Sequence, residues 1–512
     1  MNSTSMDGMR LSLRESLGAV SFVDCGDLVV SRCVCDSREI QPGDLFVALR
    51  GPQHDGHHFL HHAIRAGAAG VLVEQPQSRI RIPQCVVRNT RIAWAQLCMA
   101  FERRPSQKLV AAGVTGTNGK TTTTWLLRSI LQHAGFQSGL LGTIEYHDGR
   151  ESWEAGLTTP DAFDLARMMS RMVHAGSSHC VMEISSHALD QYRCHGVKLQ
   201  TGAITNITQD HFDYHGTAGA YRTAKARIAE LIEDSRPLLV GIDDPGCRLA
   251  LEEIPASQSI VTFGMSDDAV LRATVRERML DETTVRVRLM GEEIQFTTRL
   301  SGDHNVLNCL AAAGMAEQLG IDPAAIAGGL EAVQSVPGRM ERVDIGQGFR
   351  LIVDYAHTPD GLSHCLRSVK SMTAGRLICV FGAGGDRDRS KRPEMARASQ
   401  IADIVIVTSD NPRSEDPQRI ISDILAGFEN PDQVFRTTDR FAAIRRAVTM
   451  AEPGDSVVIA GRGHESIQQV GQRQISFDDR KVARRALLDL STSKPNVLRQ
   501  NLSAGVAQPI PA

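Results

Sequence analysis

Residues 113–122, written GVTGTNGKTT, combine glycine, lysine and threonine in the way that phosphate binding requires. Gly116 and Gly119 allow backbone N–H groups to approach an anion, and the N-terminus of a following helix favours negative charge at the same point. Lys120 can reach terminal phosphates, and the Thr121 hydroxyl can ligate Mg²⁺. The usual spacing, G-x-x-x-x-G-K-[ST], needs glycine at position 114, where this chain has valine. The loop is therefore predicted to bind a nucleotide through a variant of that pattern.

A second candidate for this chemistry is Glu183, at the end of the buried strand predicted in the run CVMEIS at 180–185. A carboxylate at the end of a buried strand is costly unless it pairs with a cation. Because Mg²⁺ prefers oxygen ligands, Glu183 is predicted to ligate Mg²⁺ beside the loop.

The loop lies between an apolar run and an amphipathic segment, which predicts a strand, a glycine loop and a helix in that order. Apolar runs at 180–185 and 201–208 are predicted strands of the same mostly parallel sheet, and residues 272–300 alternate as antiparallel strands do. The helix predicted at 304–320 is expected to be the last in this block, before residues 335–341 lead into another.

The pattern as a whole predicts an α/β protein of three domains, since 512 residues exceed what one core holds. Residues 1–105 are predicted to form a smaller N-terminal α/β domain, and 106–336 a central P-loop-type domain with helices on both faces of its sheet. Residues 337–491 carry apolar strands that end in polar loops, which predicts a Rossmann-like doubly wound domain with ligands at those strand ends. Residues 492–512 lack periodicity and are predicted to be disordered.

Composition excludes several classes of protein. Lysine and arginine number 56 and aspartate and glutamate 59, so charge gives no reason to expect nucleic acid or an anionic membrane as partner. The opening residues contain no apolar run long enough for a signal peptide, and no apolar run reaches the roughly 18 residues that span a bilayer, so we expect neither a signal peptide nor a membrane span. The eleven cysteines include no C-x-x-C pair, which favours free thiols over disulfides or zinc. We expect a cytoplasmic protein.

Five histidines, His54, His57, His58, His61 and His62, include two pairs with the i, i+4 spacing that can bind zinc on a helix. No carboxylate or cysteine completes a ligand set. A solvated helix face is the predicted alternative.

The shifted glycine gives the loop the form GxxGTNGKT[TS], which resembles that of the Mur ligases and the related folylpolyglutamate synthases. Both are ATP-dependent amide ligases. Further segments resemble Mur-ligase motifs in order along nearly the whole chain, and the set is most similar to the MurE type. They are TTPD (158–161), MEISSHALDQYR (182–193), NITQDHFDYHG (206–216), YRTAKARI (221–228), PGRME (337–341) and DYAHTPD (354–360).

The resemblance implies a ligase of peptidoglycan precursor synthesis, and thus of cell-wall biogenesis, cell shape and cell division. ATP would phosphorylate the D-glutamyl γ-carboxylate of UDP-N-acetylmuramoyl-L-alanyl-D-glutamate, and the amine of meso-2,6-diaminopimelate would attack the acyl phosphate. We expect a monomer that binds these two substrates and ATP, without nucleic acid or membrane. A lysine-adding MurE-type ligase and a folylpolyglutamate synthase are the rival enzymes, and a nucleotide-dependent switch or scaffold is the rival without chemistry.

The resemblance also implies the metal site. Mg²⁺ would be held by Thr121, Glu183, His211 and Lys225, the last converted by CO₂ into N6-carboxylysine, whose carbamate supplies oxygen ligands. Arg339 would meet the phosphates when the domains close. The residues implied as catalytic are Lys120, His211, Lys225 and Arg339.

ATP contacts are implied in the loop and at the junction with the third block. They are Gly116, Thr117, Asn118, Gly119, Lys120, Thr121, Thr122, Asn305, Asn308, Arg339, Asp354, Tyr355 and His357. Asp354 would lie near the ribose, and Tyr355 and His357 near the base. His304 stands where an aromatic residue is commoner in the family.

The first block resembles the domain that holds the UDP part of the nucleotide-sugar, while the central block holds the sugar and peptide. The implied contacts are Cys35, Ser37, Pro52, Gln53, His54, Thr158, Thr159, Ser185, Gln191, Arg193 and Lys225.

Three loops of the third block, at 384–393, 409–417 and 460–466, are expected to converge on the incoming amino acid. The implied contacts are Arg389, Asp410, Asn411, Pro412, Arg413, Gly461 and Glu465. The run DNPR at 410–413 is associated with diaminopimelate rather than lysine, because a guanidinium can bind the far carboxylate that lysine lacks. Ala383 and Arg462 replace the cysteine and the lysine often found at these positions.

Overall fold

The computed structural model describes residues 9–51, 54–279 and 282–493. Three sheets of five or more strands follow one another along the chain, accompanied by two small two-stranded sheets. Within the described residues, no helix is both long and apolar enough to cross a membrane.

The N-terminal sheet has five short strands. In chain order the elements are β1 (Leu11–Ser12), α1 (Leu13–Leu17), β2 (Ser21–Val23), β3 (Val29–Val30), β4 (Cys33–Val34), β5 (Leu45–Val47), a 3-10 helix (Gly56–Phe59), α2 (Leu60–Arg65), β6 (Gly70–Val73), β7 (Gln84–Val86) and α3 (Thr90–Phe101). The strand order is β2-β7-β6-β5-β4, with β2 antiparallel to β7 and the other neighbours parallel. A separate pair joins β1 to β3.

The central sheet has eleven strands. Its elements begin with a 3-10 helix (Pro105–Gln107), β8 (Val110–Thr115), α4 (Lys120–His133), β9 (Ser138–Leu141), β10 (Glu145–His147), β11 (Ser152–Glu154), α5 (Ala162–Ala175), β12 (His179–Glu183), α6 (Ser186–Asp190), β13 (Thr201–Ile204), α7 (Phe212–His215) and α8 (Ala218–Ala226). They continue with a 3-10 helix (Arg227–Leu231), β14 (Leu238–Gly241), α9 (Pro245–Ala250), β15 (Ile260–Gly264), β16 (Leu271–Arg278), β17 (Thr283–Leu289), β18 (Glu292–Thr298), α10 (Asp303–Gln318) and α11 (Pro323–Ala332).

Strand order in the central sheet is β11-β10-β9-β12-β8-β13-β14-β15-β16-β17-β18. Neighbours from β9 to β16 are parallel, and antiparallel strands extend both edges. The predicted mostly parallel sheet and its late antiparallel strands are confirmed. Because β8 lies between β12 and β13, the loop that follows it opens at the carboxyl ends of three parallel strands, where α/β sheets bind ligands.

The expectation that the helix at 304–320 ends the central block is wrong, because α11 follows it. Its N-terminus is capped by Asp322, which accepts a hydrogen bond from the backbone N–H of Ala324. Gly328 and Gly329 lie inside α11, although glycine is unfavourable in the interior of a helix. Here the lack of side chains permits close packing of α11 on α4. A Cβ at Gly329 would overlap the Ile130 backbone, and the Ser129 hydroxyl donates to the Gly329 carbonyl at 2.7 Å.

The C-terminal sheet has six strands. Its elements are β19 (Glu341–Arg342), β20 (Arg350–Asp354), α12 (Pro359–Ser371), β21 (Leu377–Phe381), α13 (Lys391–Ser399), β22 (Ile404–Val407), α14 (Pro417–Leu425), a 3-10 helix (Pro431–Gln433), β23 (Phe435–Arg436), α15 (Arg440–Met450), β24 (Ser456–Ala460), β25 (Ile467–Val470), β26 (Arg473–Ser476) and α16 (Asp479–Ser493). The strand order is β19-β20-β24-β21-β22-β23, and β25 and β26 form a hairpin. The first two residues of the predicted tail, 492 and 493, belong to α16, and 494–512 lie outside the described residues.

Separate hydrophobic cores lie on the two faces of the C-terminal sheet. One contains buried residues of α12, α13 and α14, and the other contains those of α15 and α16. This double covering is what the Rossmann-like prediction requires, and the fold class is confirmed.

A buried ion pair fastens α16 to the strand ends of this sheet. Arg440 and Asp479 are both fully buried, and the guanidinium donates to the carboxylate at 2.6 and 2.8 Å. The same guanidinium donates to the carbonyls of Ser409 and Ala460, which are the first residues of two of the polar loops. The pair therefore supports the loops at 409–417 and 460–466.

We predict that Asp479→Asn lowers the free energy of unfolding by about 3–5 kcal/mol, because it leaves a buried guanidinium without its counterion. Urea denaturation measures the change. The exposed Glu429→Gln serves as the control and should change stability by less than about 0.5 kcal/mol. A loss below about 1 kcal/mol for Asp479→Asn would contradict the role of the pair.

Candidate functional site

The loop between β8 and α4 needs glycine for reasons that the structure shows directly. A Cβ at Gly116 would overlap the Thr205 hydroxyl, and one at Gly119, where φ is 86°, would overlap the Asn308 side chain. Lys120 Nζ donates to the carbonyls of Gly116 and Thr117 at 2.8 and 2.9 Å. The loop is thus close-packed and lies at the start of α4, where backbone N–H groups favour an anion.

Glu183 and Thr121 form an oxygen pair beside this loop. The Thr121 hydroxyl donates to Glu183 Oε2 at 3.0 Å, and the Thr143 backbone N–H and hydroxyl donate to the same carboxylate at 2.8 and 2.9 Å. Glu183 is fully buried. A carboxylate and a hydroxyl next to a phosphate loop suit Mg²⁺, which takes one or two protein ligands and completes its shell with phosphate oxygens and water.

His211 lies in the same cavity but does not contact this oxygen pair. Its Nε2 is 3.4 Å from Asp210 Oδ2, and its ring meets the His187 ring edge-on at 4.7 Å. Burial lowers the pKa of His211 to about 3, so the imidazole is neutral. Among the residues that the structure describes, no group of three histidine, cysteine or carboxylate side chains could hold a metal ion. Among these residues, the structure therefore does not bring His211 into a group of unmodified side chains that could hold a metal ion.

Lys225 is a buried amine at the back of the loop. Its Nζ donates to the Gly116 carbonyl at 2.7 Å and lies 4.5 Å from the centre of the Tyr221 ring. Burial, followed by the charge of Lys120, holds the pKa of Lys225 well below its usual range. An amine in this position favours its neutral, nucleophilic form.

A cavity of about 780 Å³ between the central and C-terminal sheets collects most of the predicted residues. Those lining it are Thr117, Asn118, Gly119, Lys120, Thr121, Thr122, Thr158, Glu183, Ser185, His211, Asn305, Asn308, Arg339, Asp354, Tyr355, His357, Asp410, Asn411, Arg413, Gly461 and Glu465. Nucleotide-binding, metal-ligating and amino-acid-binding candidates thus share one space.

Contacts across this cavity join the two sheets. Arg339 Nη2 donates to the Thr121 hydroxyl at 3.1 Å, and its guanidinium lies 4.2 Å from the centre of the Tyr355 ring. The Asn118 amide donates to Asp360 Oδ2 at 3.2 Å. Residues of the C-terminal block therefore contact the loop after β8 and the start of α4 directly.

The loops at 409–417 and 460–466 form a polar network at the far end of the cavity. The Asn411 amide donates to Glu465 Oε2 at 2.7 Å, and its carbonyl accepts from Arg462 at 3.1 Å. Asp410 Oδ2 is buried and accepts no hydrogen bond from the described residues. Burial, followed by the charge of Asp410, raises the pKa of Glu465 above its usual range. Two confined carboxyl groups of this kind favour an ammonium group as ligand.

Arg413 offers the opposite charge in this network. Its backbone has the left-handed φ of 51°, and its guanidinium donates to the Gly385 carbonyl at 2.7 Å. Pro412 does not line the cavity, but its carbonyl accepts from the backbone N–H of Glu415, which closes the turn.

The structure does not bring Arg389 to the cavity. Its guanidinium is 58 % exposed and pairs with Glu415 at 2.8 Å, whereas Arg387 lines the cavity. Lys391 and Asp210 also line it and were not among the predicted residues. Residues 384–393 contain several cations, and their spacing alone does not tell which of them face inward.

A second cavity, of about 1320 Å³, lies between the N-terminal and central sheets and is lined by Cys35, Gln191 and Arg193. Arg193 donates to the side-chain oxygen Oε1 of Gln191 and to the Thr159 backbone carbonyl, at 3.0 and 3.2 Å. The Thr159 hydroxyl donates in turn to the Glu183 carbonyl at 2.9 Å. This chain of contacts leads from the second cavity to the phosphate loop.

The remaining predicted contacts of the N-terminal part are dispersed. Ser37 is buried, with its hydroxyl 3.0 Å from His62 Nδ1, and His54 is exposed. Pro52 and Gln53 lie outside the described residues. Four of the five clustered histidines are exposed, and His57 is half-buried with its Nδ1 2.6 Å from Asp55.

Comparison with known proteins gives matches along nearly the whole chain. Models of the Mur ligase family match in three parts: the catalytic domain at 29–115, the middle domain at 114–316 and the glutamate ligase domain at 338–463. A UDP-N-acetylmuramoyl-L-alanyl-D-glutamate--2,6-diaminopimelate ligase of Gloeobacter violaceus is 42 % identical over 94 % of this chain and 99 % of the relative. One of the same name from Syntrophomonas wolfei is 41 % identical over 89 % and 94 %.

A solved structure with that name shares the fold. It is 30 % identical, has a TM-score of 0.65 and covers 94 % of this chain and 99 % of the other. With three family domains in order and relatives above 40 % identity over most of their length, the chain belongs to the Mur ligase family.

Proposed function

We propose that this chain is an ATP-dependent ligase that adds meso-2,6-diaminopimelate to UDP-N-acetylmuramoyl-L-alanyl-D-glutamate in peptidoglycan precursor synthesis. The observation that carries the proposal is the shared cavity, in which a phosphate loop and an oxygen pair face a network of carboxylates and arginine. The names of the relatives support the same reaction. A ligase that activates a carboxylate with ATP and then admits an amine needs these parts within reach of one another.

Phosphoryl transfer to the D-glutamyl γ-carboxylate is assigned to the loop end of the cavity. Glu183 and Thr121 would hold Mg²⁺, which supplies charge neutralisation for the phosphates. Lys120 would exchange its two carbonyl contacts for phosphate oxygens, and Arg339 would add a guanidinium from the C-terminal sheet. The amine of the incoming amino acid then attacks the acyl phosphate, and the tetrahedral intermediate collapses to the amide and phosphate.

Lys225 is proposed to act as a carbamate. A neutral amine can add to CO₂, whereas an ammonium group cannot, and burial favours the neutral form here. The resulting anion would supply oxygen ligands beside His211, where the unmodified side chains of the described residues form no group that could hold a metal ion.

The amino-acid subsite is proposed to bind both the ammonium group and the carboxylate at the far end of diaminopimelate. Asp410 and Glu465 suit its ammonium group, with Asn411 holding the Glu465 carboxylate in place. Arg413 suits its carboxylate, and Arg387 takes the role that the sequence suggested for Arg389, because Arg387 lines the cavity.

The second cavity is proposed to receive the nucleotide-sugar, with its UDP part toward residues 1–105 and its dipeptide directed by Arg193 toward the phosphate loop. Residues 106–336 would then bind ATP and 337–491 the amino acid. We propose a monomer of the cytoplasm, which suits the eleven free cysteines, of which eight are buried.

One assay tests the function against its rivals: phosphate release with ATP and the UDP-linked dipeptide, plus diaminopimelate or lysine. Release that requires diaminopimelate supports the proposal. Dependence on lysine indicates the lysine-adding type, and activity only with a folate substrate and glutamate indicates the folylpolyglutamate synthase type. Nucleotide binding without release under any condition indicates a switch.

We predict that Lys120→Ala abolishes ligation, with at least a hundredfold loss of kcat expected from removing a charged phosphate ligand. Thermal melting should be nearly unchanged, and the exposed Lys108→Ala should retain full activity. Near-normal turnover of the Lys120 variant at saturating ATP would refute the assignment of the loop.

We predict that Lys225→Ala is nearly inactive and that formate or another short carboxylate partly restores it by replacing the carbamate oxygens. Lys198→Ala, at an exposed position, is the control and should show no formate effect. Intact-mass measurement of the native enzyme should show the mass of one added CO₂ under gentle ionisation. A free lysine in the active, ATP-bound enzyme would contradict the prediction.

We predict that Arg413 selects the amino acid. With lysine, its guanidinium would be desolvated without a carboxylate, which costs roughly 2–5 kcal/mol, or about 30-fold to several thousandfold in discrimination. The ratio of kcat/KM for diaminopimelate and lysine should therefore collapse in Arg413→Ala and persist in the exposed Arg419→Ala. If the Arg413 variant kept its full preference for diaminopimelate over lysine, another residue would have to select the amino acid.

A further inference from the structure

Lys391 is the first residue of α13, in the C-terminal block, and its ammonium group lines the 780 Å³ cavity. Its side chain is only 9 % exposed. The nearest opposite charge is Asp210 Oδ1, which lies 3.7 Å from Lys391 Nζ and beyond hydrogen-bond distance. Within the described residues, the ammonium group donates no hydrogen bond.

Asp210 shows where this ammonium group is directed. Its carboxylate lies 3.4 Å from His211 Nε2 and 3.8 Å from His357 Nε2. Lys391 and the phosphate-loop lysine, Lys120, line the same cavity from two different domains.

A buried ammonium group with one long contact is incompletely neutralised, and burial of such a charge is costly without further partners. A second anion in this cavity would remove that cost. Three arginines line the cavity, and each of their guanidinium groups already donates a hydrogen bond. Arg339 donates to Thr121, Arg387 to the Asp386 carbonyl and Arg413 to the Gly385 carbonyl. Lys391 has three N–H donors that no described residue accepts.

We propose that Lys391 is a second phosphate-binding lysine, which contacts the terminal phosphoryl group of a nucleoside triphosphate. The inference rests on the proposed function and extends it. Since Lys120 belongs to the central domain and Lys391 to the C-terminal domain, the charge that stabilises the transferred phosphoryl group is complete only when the two approach. The domain that binds the amino acid would thereby control phosphoryl transfer.

A contact that serves only to hold the domains together is the competing interpretation. In that case the partner of Lys391 is Asp210, and loss of the ammonium group would weaken the binding of all nucleotides equally. The long separation and the absence of a hydrogen bond between the two groups favour the phosphate role. The number of phosphates on the nucleotide separates the two interpretations.

The test is calorimetric binding of ADP and of the β,γ-imido analogue of ATP, both with Mg²⁺, to the full chain. A charge-assisted hydrogen bond contributes enough for about a tenfold loss of analogue affinity in Lys391→Met, while ADP affinity should stay within about threefold. Lys391→Arg should retain the preference for the analogue. Lys481→Met, at an exposed position of α16, is the control.

Lys391→Met must lose at least about fivefold more affinity for the analogue than for ADP to support the proposal, and a smaller difference overturns it. Thermal melting checks folding, and Lys391→Gln replaces the methionine variant if that protein is unstable. Ligase activity is not needed for this measurement. A native chain that releases no phosphate would refute the proposed function, while the affinity ratio would still decide the role of Lys391.

Discussion

Burial of charge where the central and C-terminal sheets meet is the constraint on which the rest of this structure depends. The loop after β8 places Lys120 there, and Lys225 lies behind it with a pKa lowered by burial and then by the charge of Lys120. Glu183 and Asp210 supply the negative side. Such charges are tolerated when each finds a partner, and in the proposed function Mg²⁺ and the phosphates would bridge groups from different elements.

The fold provides this meeting point because both sheets present the carboxyl ends of parallel strands. In the central sheet, β8 between β12 and β13 opens the crevice that holds the phosphate loop. In the C-terminal sheet, the loops after β21, β22 and β24 carry the residues that are proposed to bind the amino acid. The buried Arg440–Asp479 pair supports two of these loops. Activation of a carboxylate and capture of an amine are thus assigned to separate sheets that must come together.

Sequence reasoning reached the phosphate loop, Glu183, the mostly parallel central sheet and many of the residues that line the cavity, because these follow from local patterns and ordered motifs. It missed α11, where paired glycines serve close packing rather than ending a helix. Residues 384–393 posed a different difficulty, since the direction of each cation depends on tertiary contacts. Arg389 forms an ion pair with Glu415 outside the cavity, whereas Arg387 and Lys391 line the cavity.

The central claim is that one cavity activates a carboxylate as an acyl phosphate and then admits diaminopimelate. Isotope transfer tests this most directly. With ¹⁸O in the D-glutamyl γ-carboxylate of the UDP-linked dipeptide, the native chain, ATP and diaminopimelate should give the amide together with phosphate that contains one ¹⁸O atom. Phosphate that carries no label, or label that appears without formation of the amide to diaminopimelate, would contradict the account.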